Sequence, residues 1–173
     1  MKNFIVLGSL IIVVVAVGAV LVYVSSPSLT SGVNNAIYNS INATTTIPYT
    51  IVASGTSADS INERTNYEIT SGTDLATLWA LVYGQSDNVP NIDFTKYEVL
   101  AVFDGSHSTQ GYSIQVTSVT DANGERMVVV THSKPADGCT PSVSPTNPFE
   151  LVQVPKTILP LQHQDVTTLI PCS

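Results

Sequence analysis

Residues Phe4 to Val24 form an uncharged run of 21 residues, apolar throughout apart from Gly8, Ser9 and Gly18. As an α-helix such a run is roughly 31 Å long, the hydrocarbon thickness of a bilayer. The expectation is a membrane anchor over residues 1–24, with residues 4–24 in the lipid. Other uses of an apolar N-terminus fit less well. A cleaved signal peptide has a core of only about 7–15 residues and a small-x-small site, and Val22-Tyr23-Val24-Ser25 is a poor one. A lipoprotein needs a cysteine directly after the run, whereas the first is Cys139. A pilin stem would carry an acidic residue near its start, and none is there.

Charge sets the expected orientation. Lys2 is the positive side chain next to the short flank, and on the long flank no Lys or Arg occurs before Arg64. The positive-inside rule places the N-terminus in the cytoplasm and the rest outside it. All 13 acidic residues follow the span, against Arg64, Lys96, Arg126, Lys134 and Lys156. No basic stripe is present, so nucleic acid is excluded as an expected partner. Cys139 and Cys172 fall in the extracytoplasmic part, where a disulfide is permitted. Their even number and the late position of Cys172 favour a bridge; two independent thiols are the alternative.

Residues 25–46 are rich in Ser, Thr and Asn and carry no charge, which reads as a stalk. Asn42-Ala43-Thr44 fits a glycosylation sequon, relevant only in a eukaryotic secretory route. The domain is expected over residues 47–173. Strands are predicted at Tyr49–Ala53 and Thr65–Thr70. A helix follows, capped by Ser71 or Thr73, with Leu75, Leu78, Trp79 and Val82 on one face and Gly84 at its end. Tyr97–Asp104 is nearly continuous apolar sequence, suited to a strand buried on both faces. Tyr112, Ile114 and Val116 alternate with polar residues, and Asp121-Ala122-Asn123-Gly124 marks a hairpin turn into Arg126–His132. Further strands are expected at Phe149–Val154 and Asp165–Ile170. The fold class is mostly β: an antiparallel sandwich-like domain with one packed helix, or alternatively a single α+β sheet.

Catalytic chemistry is sparse in the sequence. His107, His132 and His163 are far apart and lack zinc-helix spacing. There is no Cys-x-x-Cys pair, no Gly-x-Ser-x-Gly elbow and no glycine-rich phosphate cradle. No cofactor, metal or catalytic residue is expected, and the chain reads as non-enzymatic. An enzyme would require His107 or His132 to meet a Ser, Asp or Glu in one pocket. The distinctive segment is Asp104–Ser113, where Gly105 and Gly111 bracket Ser106, His107, Ser108, Thr109 and Gln110. Loops held by a rigid scaffold concentrate recognition, so these five residues are the expected partner-binding set.

Several motifs occur in order: Leu78-Trp79, Ile92-Asp93-Phe94, Val99–Phe103, Thr109-Gln110-Gly111-Tyr112-Ser113-Ile114, and Asn147-Pro148-Phe149-Glu150-Leu151-Val152-Gln153-Val154-Pro155. Together, over roughly Tyr49 to Lys156, they resemble the C-terminal domain of the PrcB family. Gln110 stands where that family often has glycine, and the two cysteines are outside its pattern. The resemblance implies a non-catalytic accessory subunit of an envelope assembly, with a protease as the implied partner. The turn Ser108–Tyr112 is also similar to the N-P-T-T-G-Y loop of chagasin-type peptidase inhibitors, without its Asn-Pro start. The expected function is therefore a membrane-anchored, extracytoplasmic binding or scaffold protein. It would use Gly105–Gly111 and the Pro-rich loop Lys134–Pro148; a peptidase inhibitor using the same Gly105–Gly111 loop is the alternative.

Overall fold

The computed structural model of the protein describes residues 12–16, 19–23, 43–84 and 88–172. The chain forms two units, Met1–Ala43 and Thr44–Ser173. In the first, β1 (Ile12–Ala16) pairs antiparallel with β2 (Ala19–Tyr23), with Ile12 opposite Tyr23 and Ala16 opposite Ala19. These ten residues are rich in Val and Ile, whose branched side chains suit a pleated strand. The remainder of the expected span over residues 4–24, most of the expected stalk and Asn42 of the sequon lie outside the described residues. No helix among the described residues is long and apolar enough to cross a membrane.

The second unit begins with β3 (Thr45–Thr46), β4 (Thr50–Gly55), β5 (Thr65–Ile69) and α1 (Gly72–Tyr83). It continues with β6 (Tyr97–Phe103), β7 (Ser113–Ala122), β8 (Glu125–Pro135), β9 (Phe149–Pro155) and β10 (Leu161–Ile170). Two four-stranded sheets result, in the orders β4-β9-β6-β5 and β10-β8-β7-β3. Because side chains alternate across a strand, a strand apolar at every position must be covered on both faces. That is the situation of β6, buried from Glu98 to Phe103. Val99, Ala101 and Phe103 face Leu75, Leu78, Trp79 and Val82 of α1. Leu100 and Val102 join Val152 and Val154 against Ile114, Val116, Val119, Val128 and Val130 of the second sheet. The molecule is thus the expected two-sheet sandwich with a packed helix, and the single-sheet alternative is not formed.

Local chemistry sets the element ends. The Ser71 hydroxyl accepts the Asp74 N–H at 3.1 Å and starts α1; Gly84, at φ 76°, ends it. Trp79 fills the core against Tyr83, with ring centroids 4.5 Å apart. The β7–β8 turn has Asn123 at φ 54° and Gly124 at φ 80°, the paired left-handed residues that a twisted two-residue hairpin requires.

Two features depart from simple alternation. The register of β7 against β8 slips between Val116 and Ser118, so inward residues fall at Val116 and Val119. The Val116 N–H at this bulge donates to the Glu150 Oε2 at 2.7 Å. Glu150 is buried, and burial pushes its carboxyl above the usual range, opposed by that hydrogen bond. A carboxyl raised in the folded state stabilises below its unfolded pKa and loses that contribution as pH rises through the folded pKa. Glu150→Gln keeps an acceptor for Val116 but removes the charge. Its thermal stability should therefore gain on the wild type as pH rises above the ordinary carboxylate range, and level off once the buried carboxyl has ionised. Glu150→Ala strands the N–H and should cost about 1–3 kcal/mol at every pH. Melting both variants over a pH series checks this.

The second departure concerns β10, expected to be antiparallel like the rest. It runs parallel to β8, from Leu161 opposite Arg126 to Ile170 opposite Pro135. The reason is connectivity: between them the chain passes through β9 in the other sheet, and this crossover returns β10 in the direction of β8. A disulfide joins Cys139, between β8 and β9, to Cys172, just after β10, with Cα atoms 5.3 Å apart.

Candidate functional site

The loop after β6 is where the chain's polar chemistry gathers. Asp104, at the end of β6, turns an almost buried carboxylate towards two imidazoles. His107 Nε2 lies 2.8 Å from its Oδ2 and His132 Nδ1 lies 2.5 Å from its Oδ1. Arg64, just before β5, donates from Nε to His132 Nε2 at 3.2 Å and from Nη2 to Asp165 Oδ1 at 2.8 Å. It also donates to Asn66 Oδ1 and to the Phe103 carbonyl. Because His132 Nε2 accepts from Arg64, the ring proton belongs on Nδ1, where it meets Asp104. Burial raises the Asp165 carboxyl, but the hydrogen bond and charge of Arg64 outweigh it and hold it below the usual range. The bridge to Arg64 therefore contributes stability above the unfolded carboxylate pKa, lost as pH falls through the folded one.

The network reaches the loop through His107. Its ring stacks on Tyr112 at 3.8 Å and 6°, and its backbone N–H and C=O both pair with Thr146 at 2.9 Å. Ser106 N–H donates to the Asn62 carbonyl at 3.1 Å and Gln110 N–H to the Ser142 carbonyl at 3.1 Å. The Thr146 hydroxyl donates to the Thr109 carbonyl at 3.1 Å. Gly105, at φ 81°, passes so close to Asn62 that a Cβ would sit 2.9 Å from its carbonyl oxygen. The loop is thus fastened on one side to residues 62–64 and on the other to the Pro-rich loop.

Each expected partner-binding residue has a definite place. Ser106, Ser108 and Gln110 are exposed, while His107 and Thr109 are half-buried. His107 faces Asp104 rather than presenting its ring to solvent. Beside the loop lies an open depression of about 310 Å³ walled by Asp104, His107, Tyr112, His132, Lys134 and Asp165, among others. His163 is not part of it; it lines a separate groove between β10 and β5. Among the described residues no group of three His, Cys, Asp or Glu is arranged to hold a metal ion.

In the sequence His107 and His132 are far apart, and nothing there joins Asp104 to both of them or assigns a role to Arg64 or Asp165. The spacing of Asp104 and His107, three apart across Gly105, was the one local signal. The other contacts join residues 28, 68 and 101 positions apart, for which a single sequence has no local pattern.

The late motif also has physical content. The Asn147 N–H donates to the Thr56 carbonyl at 2.8 Å, and its side chain donates to Asn62 Oδ1 at 3.3 Å. Phe149 stacks on Phe103 at 6.0 Å. Glu150 serves the β7 bulge, Leu151 faces α1, and Val152 and Val154 face the second sheet. The Pro155 carbonyl accepts from Arg126 at 2.5 Å. In the earlier motif, Gly111 at φ 93° packs on Pro135 and Tyr112 carries His107.

Comparison with curated proteins and with solved structures finds no match to this chain. The Leu78-Trp79 and Asp93-Phe94 motifs precede the segment that a family model recognises. Residues 99–155, from within β6 to the end of β9, match the family model described as PrcB C-terminal, and they bear out the resemblance read in the late motifs.

Proposed function

We propose that this protein is a non-catalytic recognition subunit of an extracytoplasmic assembly, held at the membrane by residues 4–24. The loop 105–111 is its contact surface. The observation that carries the reading is the double fastening of that loop, which leaves Ser106, Ser108 and Gln110 outward on a backbone fixed at both flanks. A contact surface fixed before binding loses less conformational entropy when a partner arrives. The matched family points to a protease complex as the assembly.

His107 and His132 do meet Asp104 at one depression, as an acid–base centre would need. The nitrogen that a general base would use on His132 is, however, occupied by the Arg64 N–H. At His132 that arrangement supports a network that holds the loop rather than one that moves protons. Tethering adds to the effect, because confinement at a surface raises effective concentration and lets a modest affinity suffice.

The test is co-purification of the full chain from detergent extracts. A stoichiometric envelope protein should be recovered with the wild type and lost, at least tenfold, with Gln110→Glu or Ser108→Glu at unchanged melting temperature. Equal recovery by these variants would overturn the assignment of the loop. Retention of the chain in membranes through alkaline extraction should accompany it; release would overturn the anchor.

A further inference from the structure

Four strands border the two sheets of the domain, and they are not alike. β3 has two residues, β5 has five with Glu68 within it, and β4 has six with a register shift between Ile51 and Ala53. Short length, charge and bulges are how proteins keep sheet edges from pairing. β10 has neither the short length nor a bulge. It runs ten residues without a bulge, carries no Lys, Arg or Pro, and one flank is free among the described residues. Its single carboxylate, Asp165, is compensated within the domain by Arg64.

From the geometry of this edge we infer that β10 pairs antiparallel with β10 of a second copy, across a two-fold axis at Val166. Paired residues in an antiparallel ladder must project to the same face, which restricts a self-pairing strand to registers centred on a residue. Centring on Asp165 would oppose two carboxylates. Centring on Val166 sets Val166 against Val166, Gln164 against Thr168 and Asp165 against Thr167, with no like charges opposed. It also sets Leu169 of the second copy opposite His163. Leu169 is 53% exposed, and His163 lies in the apolar groove floored by Leu100, Val102, Val128 and Val130. The same register therefore brings an exposed leucine to the mouth of a groove that lacks a cover among the described residues. The two β10-β8-β7-β3 sheets become one continuous sheet.

Site-specific oxidation of the full chain in detergent tests this. Opposed residues have Cα atoms about 4.5–5.5 Å apart, within disulfide reach, and the native cysteines are already paired. Val166→Cys should convert to a disulfide-linked dimer, whereas Thr168→Cys, about 13 Å from its own copy in this register, should not. Light scattering should give a two-chain mass for the wild type. Val166→Lys opposes two like charges on the solvent face, so it should weaken association roughly tenfold or more at unchanged melting temperature. A monomeric wild type, equal cross-linking at 166 and 168, or a dimer indifferent to Val166→Lys would each overturn the inference.

Discussion

Asp104→Ala should lower the stability of the domain by about 3 kcal/mol, because one carboxylate serves two imidazoles. A hydrogen bond to a charged acceptor contributes about 1.5–3 kcal/mol, and deletion also leaves two half-buried ring N–H groups facing a void. In a domain of this size that corresponds to a melting point lower by about 10 °C. Asp104→Asn retains the shape but offers one acceptor and one donor, so one of the two imidazoles meets a donor where it had an acceptor. Its loss should be smaller but of the same sign. A second readout separates a general loss of stability from a specific effect on the loop. The amide protons of Ser106, His107 and Gln110 are hydrogen-bonded to Asn62, Thr146 and Ser142 and should be protected in the wild type. In Asp104→Ala they should exchange well ahead of the β6 and β9 amides. If the melting point falls while these three amides keep their protection relative to the strands, the Asp104 network does not hold the loop. The recognition role assigned to that loop then loses its structural basis.

Cys172→Ser, or reduction of the native bridge, should cost a comparable amount. The bridge closes a loop with a sequence separation of 33, for which the chain-entropy treatment gives about 3–4 kcal/mol. The effect should fall unevenly over the molecule. β10 is exposed along almost its whole length and buries little against the sandwich. It is held by its ladder to β8, by the Arg64–Asp165 bridge, and by the disulfide just beyond Ile170. Exchange at β10 should therefore rise first on reduction, while β6 and β9 keep their protection. Self-association through Val166 should weaken in step, since it requires an ordered edge. A uniform rise across all strands would show that the bridge acts on the unfolded chain alone.

Several elements follow from local chemistry and were readable in the sequence. Ser71 and Gly84 bracket α1, Asn123-Gly124 sets the hairpin, and the unbroken apolar stretch from Val99 to Phe103 demands cover on both faces. In each case a residue's own backbone preference, or the alternation of side chains over a few positions, is sufficient. The bulge in β7 was readable in principle, since inward residues three apart at Val116 and Val119 break the period of two. Its consequence was not readable, because the acceptor that completes it is Glu150, 34 residues further on.

The sequence by itself determined β4 to β9, the helix with its caps, and the residues that fill the two cores. It also carried the late motif that the family match confirms, because periodicity and turn chemistry act between neighbours in the chain. Only the tertiary structure decided that β10 runs parallel to β8. Only it brought Arg64, Asp104, His107, His132 and Asp165 into one network behind the loop. Both depend on a chain that leaves one sheet for the other and returns. A crossover of that kind is selected by the burial of whole faces, not by the preference of any single segment.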